Sequence, residues 1–262
     1  MNAKYDLVRG LRVHPLVEAW AAYQNMCDLL GLPANSKHAQ QHILVKAIYE
    51  FWCCEARKTI IFTRSTQDCY GIVEFFPEKT AAILELYSHW ARLAMTVDEL
   101  ATPWTHIKDA ETAQWLTIDN ALVKYREIFD RLKVIATTTK IADEAMTFIY
   151  KRLGDNHLMR DWLDEMYKLC DAVALQEIKK VTTAAQVCEL VKHIPDDNPH
   201  YDTSLLSKAR SKVRSIWIEI WEREAAAITN DPAAAKAHLR IAPGYRDCDR
   251  TKARLEKIWE SK

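Results

Sequence analysis

Glycine is scarce in this sequence, and the scarcity limits the folds that the chain can adopt. Only five glycines occur among 262 residues, where average usage would give about 18. Phosphate-binding loops, tight hairpins and strand-to-helix elbows need glycine for positive φ or for close backbone approach. The scarcity therefore argues against most nucleotide-binding α/β folds and β-sandwiches, and it favours helices joined by short polar loops.

Hydrophobic residues recur at intervals of three or four along the chain, which is the spacing of one face of a helix. The first such stripe consists of Leu16, Trp20, Tyr23, Cys27 and Leu30. Similar patterns predict helices near 15–30, 35–57, 77–95, 109–116, 118–136, 140–153, 156–178, 183–193, 203–229, 231–240 and 247–261. We therefore expect an all-α protein of about nine to eleven amphipathic helices, packed as antiparallel hairpins in an irregular bundle or a short helical array.

Three segments interrupt this pattern. The β-branched run at 59–63 has no second strand to pair with, so we interpret it as a buried turn. Ser65 and Asp68 have the spacing of a capping box, but the following stretch at 70–76 fits a helix and an extended segment equally well. Residues 96–108 contain Pro103 and are predicted to be a connection. Residues 1–262 are thus predicted to form a single all-α domain, with a weak subdomain boundary near 96–108.

Charge and cysteine usage limit the class of partner and the compartment. Lysine plus arginine equals aspartate plus glutamate at 36 each, and a protein that mainly binds nucleic acid usually carries a basic excess. Seven cysteines, an odd number and mostly on apolar helical faces, favour reduced thiols inside the cell over a disulfide framework. No apolar stretch is long enough to span a membrane, and no secretory signal is apparent. We expect an intracellular protein whose main partner is not nucleic acid.

The loop at 193–202 concentrates carboxylates and imidazoles between two predicted helices. Asp196, Asp197, His200 and Asp202 are its candidate metal ligands, since such mixtures bind hard or borderline cations. The spacing matches no known metal motif, and prolines replace the central glycine of an EF-hand. Ordinary turn and capping chemistry explains the same residues more simply. We therefore predict that the protein binds no metal and no cofactor.

Other pairs of potentially reactive residues have simpler explanations. His38 and His42 share a helix face, but two ligands alone do not make a zinc site. The Glu85/His89 and Glu189/His193 pairs have the i, i+4 spacing of ordinary helix-surface pairs. The adjacent Cys53 and Cys54 point about 100° apart on a helix, so only one of them can face the core squarely.

The predicted helix at 203–229 is the main candidate for partner binding. Leu206, Ala209, Val213, Ile216 and Ile220 follow a heptad-like 3-4 pattern, and Trp217 and Trp221 form a second stripe. Four basic residues lie in the N-terminal half of the helix, an arrangement that opposes the helix dipole. These residues, Lys208, Arg210, Lys212 and Arg214, could dock on an acidic protein, a lipid headgroup or RNA.

Tryptophan is abundant, with nine residues in the chain, and it is enriched at the centres of protein interfaces. We predict that Trp104, in the connection at 96–108, and Trp259, near the end of the last helix, are exposed partner anchors.

The function that these features favour is a non-enzymatic helical scaffold or accessory subunit of a larger multiprotein assembly. A mitochondrial complex (respiratory, ATP synthase or ribosomal) is the expected host, and a cytoplasmic one is the alternative. Two other hypotheses stay open: a metal-dependent enzyme that uses the 193–202 loop, and an RNA-binding module that uses the basic helix.

Overall fold

The computed structural model describes residues 14–33, 39, 42–76, 81–114, 116–153, 160–194, 203–244 and 248–260. Within these ranges the chain forms twelve α-helices and three short 3-10 helices, and no strand. The α-helices are α1 His14–Leu29, α2 Ile43–Phe62, α3 Thr66–Ile72, α4 Ala81–Leu93, α5 Ala101–Thr112, α6 Ile118–Ile135, α7 Thr139–Leu153, α8 Arg160–Glu177, α9 Ala184–Val191, α10 Thr203–Ala227, α11 Pro232–Arg240 and α12 Asp249–Glu260. The all-α class is confirmed, although the expected number of helices was slightly too low.

The end of α1 shows how local sequence signals operate in this chain. Gly31 has a φ of +62°, the left-handed conformation that glycine commonly adopts after a helix. The N–H of Leu32 donates to the carbonyl of Cys27 at 2.9 Å, and that of Gly31 donates to Asp28 at 3.1 Å. These two bonds form a Schellman motif, which satisfies carbonyls at the end of the helix.

The additional helix is α3, which begins at the capping box recognised in the sequence. The N–H of Asp68 donates to Ser65 Oγ at 3.1 Å, and the N–H of Ser65 donates to Asp68 Oδ2 at 3.0 Å. Such a reciprocal cap satisfies two backbone donors at the helix start. The local signal was therefore correct, and the ambiguous stretch after it is helical as far as Phe75.

The prediction of a buried turn at 59–63 was wrong, because residues 59–62 form the last turn of α2. The hydroxyl of Thr59 donates to the carbonyl of Glu55 at 2.8 Å, a bond that threonine can make inside a helix. Thr59 and Ile60 are only 2% and 6% exposed. Burial against the rest of the fold thus outweighs the low helix propensity of β-branched residues.

The prediction of a connection at 96–108 was also wrong, because this segment holds the 3-10 helix Asp98–Leu100 and most of α5. Pro103 lies in the first turn of α5, where a missing N–H costs no helical hydrogen bond. Glu99 accepts hydrogen bonds from the N–H groups of Met95 and Thr96 at 2.6 and 3.1 Å. The hydroxyl of Thr66 also donates to Glu99, at 2.8 Å, and links α3 to this cap.

We predict that Glu99→Gln lowers the free energy of unfolding by about 1 kcal/mol at pH 7, the usual cost of weakening a charged cap. Burial acts to raise the pKa of Glu99, but the hydrogen bonds outweigh it and hold the pKa below the ordinary 4.5. This stabilisation is therefore present above the ordinary pKa and is lost as the pH falls through the lowered one. The measurement is urea unfolding of the wild type and of Glu99→Gln at pH 7 and pH 3. The difference between their free energies of unfolding should be smaller at pH 3. Glu256→Gln, at an exposed position of α12, is the control.

The chain divides into two compact units, residues 1–132 and 133–262. The boundary expected near 96–108 lies within the first unit. Consecutive helices pack against each other in several places, notably α1 with α2, α7 with α8, and α11 with α12. This pairing is typical of helical hairpins.

An aromatic cluster forms the core of the first unit where α1 meets α2. Trp52 is fully buried, and its ring lies 5.2 Å from that of Trp20 and 6.2 Å from that of Phe76. Tyr23 and Tyr49 complete the cluster, with their rings 5.4 Å apart. Large flat side chains of this kind contribute much of the buried area of a small unit.

The core of the second unit is built around α10, whose predicted apolar pattern is confirmed from position 213 onwards. Val213, Ile220 and Trp221 are at most 5% exposed, and Trp217 is 8% exposed. They pack with Leu255 of α12 and with residues of α9 and α11. The described part of the heptad-like stripe, from Val213 to Ile220, therefore faces its own unit, while the side chains of Leu206 and Ala209 lie outside the described part of the chain.

Candidate functional site

The loop predicted to hold a metal lies almost entirely outside the described residues, which resume only at 203. Asp196, Asp197, His200 and Asp202 are thus still sequence predictions. Among the residues that the structure describes, no group of three or more side chains is arranged to hold a metal ion.

The described end of this loop is His193, whose ring makes two contacts with carboxylates. Its Nδ1 lies 3.4 Å from Asp143 Oδ2, and its Nε2 lies 3.8 Å from Glu189 Oε1. The second contact is the predicted i, i+4 helix pair. Nearby, both the N–H and the hydroxyl of Thr139 donate to Glu177 beside a shallow groove of about 430 Å³. The Thr139 bonds tie α7 to α8, and the His193 contact with Asp143 ties α7 to the end of α9.

The four basic residues of α10 differ in their surroundings. Lys212 and Arg214 are exposed, whereas Arg210 is half-buried near Asp171 of α8. Burial raises the pKa of Asp171, and the positive charge of Arg210 acts in the opposite direction. Arg210 thus compensates a partly buried carboxylate within the unit, while the side chain of Lys208 lies outside the described part of the chain. Their role in partner binding is still a prediction.

The exposure predicted for the two tryptophan anchors holds for only one of them. Trp104 is 4% exposed, because the segment that carries it is a helix and its ring packs 4.4 Å from that of Tyr125. Its assignment as an exposed anchor was wrong. Trp259 is 40% exposed, and the ammonium of Lys236 lies 5.3 Å from its ring.

A polar groove of about 590 Å³ lies between α2, α4 and α6 in the first unit. Glu85 does not pair with His89 as expected, because it accepts hydrogen bonds from Arg57 Nε and Nη2 at 3.2 Å each. His89 instead lies 3.3 Å from the carbonyl of Thr63 through Nε2. Burial lowers the pKa of His89; the hydrogen bond with the Thr63 carbonyl acts in the opposite direction, and the charges of Arg92 and Arg64 add to the lowering.

The same groove contains a lysine and a serine at hydrogen-bond distance. Lys124 Nζ lies 2.7 Å from Ser88 Oγ and 2.9 Å from Glu127 Oε1. A Ser–Lys pair can act as a nucleophile and base, but here the ammonium of Lys124 is also paired with the carboxylate of Glu127. Ser88 also lies in the middle of α4, where backbone N–H groups are occupied by helical bonds and cannot form an oxyanion hole. The groove is best explained as a network of ion pairs and hydrogen bonds that joins three helices.

The outer surface of α2 is apolar, but the packing of the first unit does not bury it. Five large apolar side chains of this helix are exposed: Ile43 by 82%, Leu44 by 55%, Phe51 by 56%, Ile61 by 66% and Phe62 by 47%. Ala47 and Cys54 are exposed between them. At 100° per residue these seven positions fall within an arc of about 100°, which is the width of a face that a helix normally buries. We call this set the α2 outer face.

The opposite side of α2 is already buried in the first unit. Val45, Trp52 and Ala56 are 0% exposed, and this side contacts α1 and α4. An amphipathic surface helix has one apolar face and one polar face, whereas a helix that is apolar on both sides is typical of a buried one. Next to the outer face lies an apolar groove of about 460 Å³, floored by Ala19, Ala22 and Ala47.

The sequence contained a signal for this surface. Ile43, Leu44, Ala47, Ile48, Phe51 and Trp52 look like a single stripe, but Trp52 is buried while Ile43, Leu44, Ala47 and Phe51 are exposed. Counting the apolar positions of α2 around the whole helix shows more of them than one buried face can hold.

Comparison with known proteins gives no independent assignment: no protein-family model, no curated protein and no solved structure matches this chain. No helix in the described ranges is long and apolar enough to cross a membrane.

Proposed function

We propose that this protein is a non-enzymatic helical scaffold or accessory subunit, held in a larger protein assembly through the α2 outer face. The observation that carries the proposal is the exposure of five large apolar side chains on one arc of a helix whose other side is already buried. Monomeric proteins rarely expose contiguous apolar surface of this kind unless it is used for binding.

The physical argument is the cost of leaving this face in water. Burying one Leu, Ile or Phe side chain contributes about 1.5–3 kcal/mol relative to leaving it exposed. A partner that covers several of these side chains together gains enough to offset a substantial part of the entropy lost on association. Phe51 has the largest side chain near the centre of the face and is therefore the expected hot spot.

The proposed setting is intracellular, because the seven cysteines are free thiols and four of them are buried. As the host we propose a mitochondrial complex (respiratory, ATP synthase or ribosomal), with a cytoplasmic assembly as the alternative. Mass spectrometry of the proteins that co-elute with the native chain distinguishes these two hosts.

We expect Phe51→Glu to remove the protein from its native assembly without unfolding it. A charge at the centre of the α2 outer face would be desolvated on binding, whereas in the free protein it stays in water. The measurement is gel filtration of a gentle lysate, with detection of the tagged full-length chain and identification of its companions. The wild-type protein should elute at high mass with constant companions, and the variant should elute at low mass.

The matched control is Ile118→Glu. Ile118 is 59% exposed, close to the value for Phe51, but it is the first residue of α6, where an acidic side chain is well tolerated. This control should elute like the wild type. A wild-type protein at low mass, or identical elution of Phe51→Glu and the wild type, would contradict the proposed function.

A further inference from the structure

A regular heptad seam runs along the α2 outer face and also includes the exposed Lys58, which lies in the same arc. Exposed residues follow one another at intervals of three, four, three, four and three positions, and they are Leu44, Ala47, Phe51, Cys54, Lys58 and Ile61. This is the a/d spacing through which two helices pack with knobs in holes. We call these six residues the α2 seam. It covers about 26 Å of helix at 1.5 Å per residue.

We propose that the partner on the α2 seam is a second copy of this chain, packed antiparallel through its own α2. The inference rests on the proposed function, since it names the occupant of the same surface. It is argued from the complementarity of side-chain size and charge between two copies of the seam.

Side-chain sizes match when two copies run antiparallel about a twofold axis between positions 52 and 53. Leu44 then lies opposite Ile61 of the second copy, which makes an apolar layer at each end. Phe51 lies opposite the small Cys54, and the long Lys58 lies opposite the small Ala47. Alternation of large and small residues across facing positions is the arrangement that fills such a seam without voids.

Lys58 lies near the middle of this arc, and it is compatible with the layer because its ammonium turns to the flank, towards Glu55. Its side chain is 58% exposed, and its ammonium already lies 2.6 Å from Glu55. The aliphatic stem can cover Ala47 of the second copy while the ammonium stays in water beside Glu55.

The charges that flank the seam also favour the antiparallel pair. Glu50 and Arg57 lie on the same flank, and in the antiparallel register Glu50 lies about 3 Å along the helix axis, or two residues, from the level of Arg57 of the second copy. Arg57 has enough donors to keep its bonds with Glu85 and to reach a second carboxylate. Opposite charges at such flanking positions set partner choice and orientation in coiled coils.

A parallel pair of α2 helices has none of these advantages. Each seam residue would face its own counterpart, so that Lys58 meets Lys58 and Phe51 meets Phe51. The two ammonium groups in the Lys58 layer would repel each other. The Phe51 layer would hold two large rings, while the Ala47 layer would hold two small side chains and would be poorly filled. The antiparallel arrangement is therefore the one that the seam specifies.

Sedimentation equilibrium of the purified full-length chain over a range of concentrations tests the proposal. We expect the wild type to approach twice the mass of one chain. Phe51→Glu places two new charges in each dimer and should raise the dissociation constant about 100-fold or more, the range of a lost hot spot. Ile118→Glu should associate like the wild type, and circular dichroism should show both variants folded. A wild type that stays monomeric, or a Phe51→Glu variant that dimerises as well as the wild type, would overturn the second-copy proposal.

Disulfide trapping tests the orientation. Leu44→Cys and Ile61→Cys are made separately in a Cys54→Ser background, and the two proteins are oxidised alone and as a mixture. The antiparallel seam predicts a disulfide only in the mixture, between position 44 of one copy and position 61 of the other. Disulfides formed efficiently by each variant alone would show a parallel pair and reject the proposed register.

The outcomes for the two proposals are separable. A monomeric purified protein whose high-mass elution in lysate still depends on Phe51 would reject the second copy and keep the assembly role, with a different protein on the same face. A monomer in both settings would reject both.

Discussion

Replacing Trp221 by alanine is expected to lower the free energy of unfolding by about 3–5 kcal/mol, the range for removing a fully buried large aromatic side chain. Trp221 is 0% exposed in the core of the second unit. Its indole Nε1–H donates to the carbonyl of His238 at 3.1 Å, and the two rings stack with centroids 5.0 Å apart. In return, His238 Nε2 lies 2.9 Å from the carbonyl of Trp221. The substitution therefore creates a cavity and also leaves a buried carbonyl without its donor.

The measurement is urea unfolding followed by circular dichroism, with Trp221→Phe as the matched control. Phenylalanine keeps most of the aromatic contact but cannot donate the hydrogen bond, so we expect a smaller loss of about 1–2 kcal/mol. If the alanine variant lost no more than the phenylalanine variant, Trp221 would not be the packing centre that the structure indicates.

The second large effect is expected at Trp104, where alanine should also cost about 3–5 kcal/mol of unfolding free energy. The side chain is 4% exposed and packs on the ring of Tyr125, whose hydroxyl donates to Glu111 at 3.0 Å. An exposed partner anchor would behave differently, because its loss would weaken binding and leave stability unchanged. Unfolding of the purified protein thus decides between a core role and an anchor role.

Trp259→Ala is the matched control for this experiment. Trp259 is 40% exposed, and its described ring contact is with the ammonium of Lys236. A partly exposed cation–π pair is worth about 0.5–1 kcal/mol, so the loss should be far smaller than for Trp104. Equal losses at both positions would contradict the difference in burial.

Local signals in the sequence predicted local structure well. The capping box predicted at Ser65 is formed, and the left-handed Gly31 and the capping box of Thr183 with Gln186 are further local structures of this kind. Each of these depends on atoms within a few residues of one another, so the residue types alone specify the geometry. The same holds for the all-α class, because helical periodicity and the lack of glycine act along the whole chain.

Predictions that depended on distant contacts were less successful. The β-branched end of α2 and the proline-containing start of α5 have weak local preferences, and burial of Ile60 and Trp104 accompanies their helical form. Glu85 could pair with His89 on its own helix, but it binds the guanidinium of Arg57 on another. Tertiary packing overrides weak local preferences because it buries far more surface than one turn of helix does.

The candidate surface illustrates the same division. The sequence by itself determined that residues 43–62 carry more apolar side chains than a surface helix needs, and that they recur at helical spacing. Only the tertiary structure decided which of them are buried, because α1 and α4 cover the side with Val45, Trp52 and Ala56 and leave Ile43, Phe51 and Ile61 in water. A helical pattern specifies which residues share a face, but which face is covered depends on the neighbours that pack against it.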